Sequence, residues 1–266
     1  MILGSVYGWV NRRLESVRKA YKIYEYSRLG PGHVFQIRFD DLLFEMTFLN
    51  HRVSSAIMER IEARREPITT AIIRSLVRAG DQVLELGGCY GYFTCIMSQC
   101  VGSTGKIISV EGTPNNYEVL LRNIELNDLS NVTAYNYFVT NESEQVWFKP
   151  GENHPYEAIA RLQRRDDNPP TNAVVVPAGP LSAFLDKIRF RPNCIFMDIE
   201  GFEIDVLEDL FSISYLSTNR PVLVFEIHEH FYRAPKYLAF IEDILKRSRY
   251  YYRRVKGNLI CFPEAI

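Results

Sequence analysis

The sequence lacks an excess of charge of either sign. Its 31 lysines and arginines are balanced by 32 aspartates and glutamates, which gives a formal net charge of −1 at pH 7. Proteins that hold nucleic acid through its phosphates usually carry a basic surface. We therefore expect no nucleic-acid partner.

Cysteines are few and are not spaced as pairs. None of the five forms a C-x-x-C pair or a cysteine–histidine pattern typical of a bound metal. Unpaired thiols are the rule in reducing compartments, so this pattern favours a cytoplasmic protein. The sequence also lacks any apolar run long enough to predict a membrane-spanning helix.

Residues 4–26 predict an amphipathic helix, because Val10, Leu14, Val17 and Tyr21 fall on one stripe while arginines and lysines lie off it. Three partners are open for this stripe: the chain's own domain, which is the expected one, a second copy in a homodimer, or a membrane surface contacted peripherally.

A hairpin of two strands, residues 33–39 and 42–48, is predicted after this helix. We expect residues 1–65, which contain the helix and the hairpin, to be an extension ahead of a main domain formed by residues 66–266.

The main domain alternates strands and helices. Strands are predicted at residues 83–85, 106–110, 132–139, 194–197, 222–225, 250–255 and 259–262. This alternation predicts an α/β fold with a doubly wound, mostly parallel, seven-stranded sheet of the Rossmann-like kind, closed by an antiparallel C-terminal hairpin. Ligands of such sheets bind at the carboxyl ends of the strands.

The run VLELGGCYGYF, residues 83–93, is the first candidate ligand site. A strand that carries the acid Glu85 passes into a turn with Gly87 and Gly91, and then into a helix. Glycines permit left-handed backbone angles and the close approach of a ligand. Because Cys89 stands two residues after Gly87, the G-x-G-x-x-G pattern of dinucleotide-binding proteins is broken. The remaining acid-x-Gly-x-x-x-Gly pattern is typical of proteins that bind S-adenosylmethionine (SAM).

Further cofactor contacts are predicted at the ends of the neighbouring strands. Glu111 ends the second strand, where an acid suits a bidentate hold on ribose hydroxyls. Phe138 and Val139 end the third strand and are expected to wall the adenine ring, although core packing explains them equally well. Glu85 is expected to support the glycine loop or to bind the ammonium group of the cofactor.

Two later stretches carry the candidates for chemistry. Asp198 stands at the tip of the fourth strand, where Glu200 is expected to shape the turn and Glu203 to cap the next helix. Glu226 ends the fifth strand and is followed by His228, which suits a base or a metal ligand. Asp198, Glu226 and His228 have the side chains of a divalent-metal site, provided that they converge in the fold.

Together these stretches resemble the FkbM family of SAM-dependent methyltransferases over about residues 66–226. The family's D-V-G-A-N-x-G appears as E-L-G-G-C-Y-G at residues 85–91, and its E-P-x-P as E-G-T-P at residues 111–114. Its K-x-D-x-E-G-x-E appears as F-M-D-I-E-G-F-E at residues 196–203. Phe196 thus stands where the family has lysine, so the positive charge of that lysine is missing from this position.

The resemblance implies that SAM is the cofactor and that the reaction is O-methylation of a hydroxyl on a small molecule, a sugar or a glycan. The first motif and Glu111 would then contact SAM. Asp198, Glu226 and His228 would abstract the hydroxyl proton or bind a divalent metal.

Two alternatives to the methyltransferase stay open. The departures from the family pattern at Cys89, Gly112 and Phe196 suit a non-catalytic binding or scaffold protein. An NAD-dependent oxidoreductase would use a similar sheet, although Cys89 argues against it. Residues 150–180 form a long irregular segment, either a lid over the acceptor or a solvated loop.

Overall fold

A computed structural model describes residues 2–30, 32–48, 54–141, 144–149, 169, 171–228 and 237–265, with the backbone alone for residues 2–12 and 144. Most of the predicted irregular segment, residues 150–168 and 170, therefore lies outside the described residues. The chain divides into two compact units, Met1–Ile68 and Thr69–Ile266.

The described residues of the first unit form two helices and a hairpin: α1 (Ile2–Ser27), β1 (Val34–Phe39), β2 (Leu42–Thr47) and α2 (Ser55–Ile61). β1 and β2 pair antiparallel, as predicted. The apolar stripe of α1 remains 51–65% exposed at Leu14, Val17, Tyr21 and Tyr24. The partner of this stripe stays a prediction. Among the described helices, none has the length and apolar character needed to cross a membrane.

The elements that follow are α3 (Pro67–Leu76), β3 (Gln82–Leu86), α4 (Tyr92–Val101), β4 (Lys106–Glu111), α5 (Pro114–Leu126), β5 (Val132–Asn136), β6 (Phe138–Val139), β7 (Glu144–Phe148), β8 (Val174–Gly179), α6 (Leu181–Ile188), β9 (Cys194–Met197), α7 (Glu203–Ser212), α8 (Tyr215–Asn219), β10 (Val222–Glu226), α9 (Tyr237–Arg247), β11 (Tyr250–Val255) and β12 (Asn258–Pro263).

Seven of these strands form one sheet in the order β11-β12-β10-β9-β3-β4-β5. The five strands from β10 to β5 are parallel, and β12 runs antiparallel between β10 and β11. Because the chain adds β4 and β5 on one side of β3 and β9 and β10 on the other, the sheet is doubly wound. The predicted fold class, with its mostly parallel sheet and antiparallel C-terminal hairpin, is confirmed.

The apolar runs of the central strands explain the position of the core. All four residues of β9 and the last four of β3 are buried, so neither strand alternates between a buried and an exposed face. Continuous apolar strands are expected where helices cover both faces of a parallel sheet. The strand ends, where the acids lie, are therefore the places where this sheet can offer polar groups to a ligand.

The predicted strand over residues 132–139 is wrong in its extent. β5 ends at Asn136. The side-chain amide of Asn136 donates to the carbonyl oxygen of Glu111 (2.7 Å) and so joins the end of β5 to the end of β4. The next two residues, Phe138 and Val139, form β6 and pair with β8 in a second sheet of order β6-β8-β7. The sequence predicted neither β8 nor α8.

Candidate active site

Four acids lie along one edge of the main sheet. Glu111 and Glu226 are the last residues of β4 and β10, Asp198 follows β9 directly, and Glu85 is the next-to-last residue of β3. These four strands are neighbours and parallel, so their carboxyl ends meet at the same edge. This is the edge at which open α/β sheets bind ligands.

The glycine loop between β3 and α4 lies against the turn that follows β9. Gly87 has a left-handed φ of +91°, and a Cβ atom there would lie 2.0 Å from the carbonyl oxygen of Asp198. Gly91 caps α4 at its N-terminus with a φ of +85°. A side chain at Gly87 is therefore excluded by backbone conformation and by space, and the two loops are in direct contact.

Glu85 lies in the core beneath this loop. Its Oε2 accepts hydrogen bonds from the hydroxyls of Thr94 on α4 (2.5 Å) and Ser109 on β4 (2.6 Å). The side chain is 1% exposed, and burial raises the pKa of Glu85 to about 7 although both hydroxyls oppose the rise. Glu85 thus ties β3 to α4 and β4, a position that favours support of the loop.

Glu111 joins the glycine loop to the start of α5. Its Oε2 accepts a hydrogen bond from the backbone N–H of Cys89 (2.8 Å), and its Oε1 accepts one from the N–H of Thr113 (2.7 Å). Burial raises the pKa of this carboxyl, and the two backbone hydrogen bonds oppose that rise. The side chains of Thr113 and Asn116 hydrogen-bond to the same carboxylate. The ribose role of Glu111 stays a prediction.

Phe138 and Val139 occupy different surroundings. The ring of Phe138 meets that of Phe202 edge to face at 5.4 Å, and a Cβ atom at Gly112 would lie 2.6 Å from the Phe138 ring. Glycine in place of the proline of the family pattern therefore makes room for Phe138 beside the end of β4. Val139 packs in the main core. The adenine-wall role stays a prediction for both residues.

The turn after β9 is held by Glu203, which is fully buried at the start of α7. Its Oε1 accepts a hydrogen bond from the N–H of Ile199 (3.1 Å), and its Oε2 accepts one from the N–H of Gly201 (3.0 Å). Glu200 and Gly201 both have positive φ angles, +54° and +105°. Glu203 thus holds a turn in which Glu200 keeps a strained left-handed conformation.

Glu203 also reaches His228, which follows β10. Its Oε1 lies 2.9 Å from Nδ1 of His228, while Nε2 of the same ring lies 3.4 Å from Oδ1 of Asp198 and 3.6 Å from Oε2 of Glu200. Burial lowers the pKa of His228, but the hydrogen bond to Glu203 and the three nearby carboxylates outweigh it and raise the pKa to about 9. In this arrangement the imidazole carries a proton at neutral pH.

Asp198, Glu226 and His228 converge at this point. One candidate ligand atom from each residue lies within 4.8 Å of the others. These three residues were predicted from the sequence as site residues, whereas Glu203 was predicted only as a helix cap. Its place five residues after Asp198, in the first turn of α7, was the signal that it faces back towards the turn.

Comparison with known proteins identifies a family whose model matches the chain. A model of the methyltransferase FkbM domain matches residues 85–253. A protein-L-isoaspartate O-methyltransferase of Methanothrix thermoacetophila is 30% identical over 114 residues, which are 40% of this chain and 51% of that protein. Methyltransferase 1 of Beauveria bassiana is 28% identical over 144 residues, which are 48% of this chain and 57% of that protein. The chain thus spans about half the length of these relatives.

Among solved structures, the methyltransferase FkbM of Methylobacillus flagellatus KT is similar at 16% identity and a TM-score of 0.49. The similarity covers 78% of this chain and 54% of that one.

Proposed function

Since the chain belongs to the FkbM family of methyltransferases, we propose that it transfers the methyl group of SAM to a hydroxyl of a small molecule, a sugar or a glycan. The observation that carries the proposal is the contact between Gly87, in the cofactor loop, and Asp198, in the turn that holds the acids and His228. A cofactor on the first loop and an acceptor at the second would lie side by side. We assign both to residues 66–266, with residues 1–65 as an extension.

The residues near the end of β4 fit SAM. The side chain of Asn116 hydrogen-bonds to Glu111. Its Oδ1 atom, however, is buried and has no hydrogen-bond partner among the described residues. A buried acceptor without a donor is costly, and a ribose hydroxyl or an adenine amine would supply that donor. Gly87 and Gly91 permit the left-handed turns of the loop on which the rest of the cofactor would lie, and Phe138 offers an apolar ring.

The chain's own residues would orient the acceptor and take up its proton. When bound, SAM supplies an electrophilic methyl group, and in-line attack by a hydroxyl requires alignment and removal of the hydroxyl proton. Asp198, Glu226 and His228 are the candidates for that removal, or for holding a cation that lowers the pKa of the hydroxyl. Because the imidazole of His228 is charged at neutral pH, Asp198 and Glu226 are the proton acceptors that we assign in the cation-free protein.

Calorimetric titration of the purified chain with SAM, and separately with NAD, tests the proposal. Binding of SAM and not of NAD is expected. If SAM binds, sugars and other hydroxyl compounds would then be screened as acceptors by measuring the release of S-adenosylhomocysteine. Binding of neither ligand would overturn the proposal in favour of a scaffold protein, and binding of NAD alone would favour the oxidoreductase.

A further inference from the structure

The cluster of Asp198, Glu226 and His228 has the dimensions of a cation site. A metal with ligands at about 2.1 Å holds neighbouring ligand atoms about 3 Å apart and opposite ones about 4.2 Å apart. Nε2 of His228 and Oδ1 of Asp198 are 3.4 Å apart, and all three candidate ligand atoms lie within 4.8 Å of one another. Small rotations of the carboxylates would bring the three atoms around one ion.

The histidine is oriented by a buried partner. Nδ1 of His228 faces Oε1 of Glu203 at 2.9 Å, so Nε2 is the nitrogen that faces the acids. Glu203 cannot turn away freely, because it is fully buried and accepts two backbone hydrogen bonds. A carboxylate behind the far nitrogen of a histidine is the usual arrangement at metal sites, where it fixes the tautomer and the direction of the ring.

The third side chain, that of Glu226, is placed by the C-terminal hairpin. Gly257 lies opposite it, and a Cβ atom at Gly257 would lie 3.3 Å from Oε1 of Glu226. The N–H of Ile227 donates to the carbonyl oxygen of Gly257 (2.9 Å), which fixes the backbone directly after Glu226. Because Gly257 has no side chain, the backbone of the hairpin leaves room for the carboxylate of Glu226.

The charge of the cluster favours a divalent ion. In the described part of the chain, four carboxylates lie near one imidazole at this edge of the sheet, those of Asp198, Glu200, Glu203 and Glu226. A divalent ion would offset two of these negative charges, and carboxylates and a neutral imidazole are ligands that such ions bind.

We propose that Asp198, Glu226 and His228 bind one divalent cation, with Mn²⁺ preferred, and that Glu203 is a positioning residue for His228. Two carboxylates favour Mg²⁺, Ca²⁺ or Mn²⁺, and the imidazole nitrogen moves the preference from the first two towards Mn²⁺. The role of the ion in catalysis rests on the proposed function. Its binding does not, because it needs neither SAM nor an acceptor.

Titration of the untagged, chelator-treated full chain with Mn²⁺, followed by electron paramagnetic resonance, tests the site. We expect one Mn²⁺ to bind per chain, and Asp198→Asn, Glu226→Gln and His228→Gln each to abolish that binding. Glu203→Gln should weaken it about 10- to 100-fold, the usual effect of losing the group behind a ligating histidine. Glu208→Gln is the matched control, because Glu208 is an exposed acid on the same helix. This variant should bind Mn²⁺ as the unaltered chain does.

A second measurement keeps the proposal testable where a variant fails to fold. Pulsed electron paramagnetic resonance of the unaltered chain with Mn²⁺ should show coupling to an imidazole nitrogen, and folded His228→Gln should lack it. Absence of Mn²⁺ binding by the folded chain, or binding without nitrogen coupling, would overturn the proposal. A chain that binds SAM but no Mn²⁺ would refute the cation site and leave the proposed function intact.

Discussion

Oε1 of Glu203 and Nδ1 of His228 lie 2.9 Å apart although 25 residues separate them in the chain. The contact joins the start of α7 to the segment after β10, and it sets which nitrogen of the ring faces Asp198 and Glu200. A buried carboxylate beside a histidine stabilises the charged imidazole. The two residues therefore set the charge of the candidate site together.

Glu203→Gln should lower the pKa of His228 from its value of about 9 in the cation-free protein. The amide retains a hydrogen-bonding group but removes the negative charge nearest to the ring, so the charged imidazole loses stabilisation. Nuclear magnetic resonance titration of the His228 ring would measure the change. Glu208→Gln should leave the pKa where it was, and an unaltered pKa in Glu203→Gln would contradict the assigned contact.

Glu85→Gln should flatten the dependence of stability on pH. The pKa of Glu85 is raised to about 7 in the folded chain from 4.5, so the folded state holds the proton more tightly than the unfolded state. Stability is therefore lost as pH rises from about 4.5 to about 7, by about 3 kcal/mol for a shift of this size. Urea unfolding across this range should show a smaller loss in Glu85→Gln than in the unaltered chain. The contribution of Glu111, whose pKa burial also raises, remains in both.

The control for that experiment is Glu118→Gln, because Glu118 is exposed on α5. The stability of Glu118→Gln should depend on pH as that of the unaltered chain does. Equal slopes for Glu85→Gln and Glu118→Gln would show that Glu85 does not hold a proton in the folded state.

Gly87→Ala should destabilise the chain more than Gly80→Ala. Both glycines have left-handed φ angles near +90°, so alanine costs about 1–2 kcal/mol at either position. At Gly87 the new methyl group also meets the Asp198 carbonyl, and such overpacking costs about 1–3 kcal/mol more. At Gly80 its nearest neighbour, a hydroxyl of Thr104, lies at an ordinary 3.7 Å. Equal free energies of unfolding would refute the contact between the two loops.

Cys89→Asn should stabilise the chain by up to about 1 kcal/mol, because asparagine tolerates left-handed backbone angles better than cysteine does. Cys89 has a φ of +49°. Cys89→Ala is the control: it removes the thiol but not the backbone strain, so it should bring no such gain in urea unfolding. A loss of stability in Cys89→Asn would show that the thiol contributes more than the strain costs.

Glu111→Gln should weaken SAM binding at least about tenfold, since a hydrogen bond to a charged group contributes about 1.5–3 kcal/mol. The amide nitrogen of glutamine cannot accept a hydrogen bond, so the N–H of either Cys89 or Thr113 would lose its acceptor. Calorimetry with SAM measures the effect, with Glu118→Gln as the unaffected control. Unchanged affinity in Glu111→Gln would remove Glu111 from the cofactor site.

The main sheet could be predicted because its strands are local apolar runs. The second sheet could not, since β8 pairs with strands that are distant in sequence and contains Pro177, which argues against a strand. Proline is accommodated there because β6 pairs only with Ala178 and Gly179.

The candidate site was predictable in its residue types but not in its connections. Strand ends identified Asp198 and Glu226, because parallel strands bring their carboxyl ends to one edge. Capping alone is a sufficient reason for an acid in the first turn of a helix, so nothing local showed that Glu203 also reaches His228. A contact across 25 residues depends on the packing of α7 against the sheet.

The insertion of β12 between β10 and β11 affects the order in which the sheet is completed during translation. After Glu226 leaves the peptidyl-transferase centre, the ribosome must add the 37 residues from Ile227 to Pro263 before β10 can gain its second neighbour. At about 5–20 residues per second this takes about 2–7 s. β10, the strand that carries Glu226, therefore leaves the ribosome before β12. Until β12 pairs with it, the sheet has an open edge at β10, and such an edge can pair with another chain.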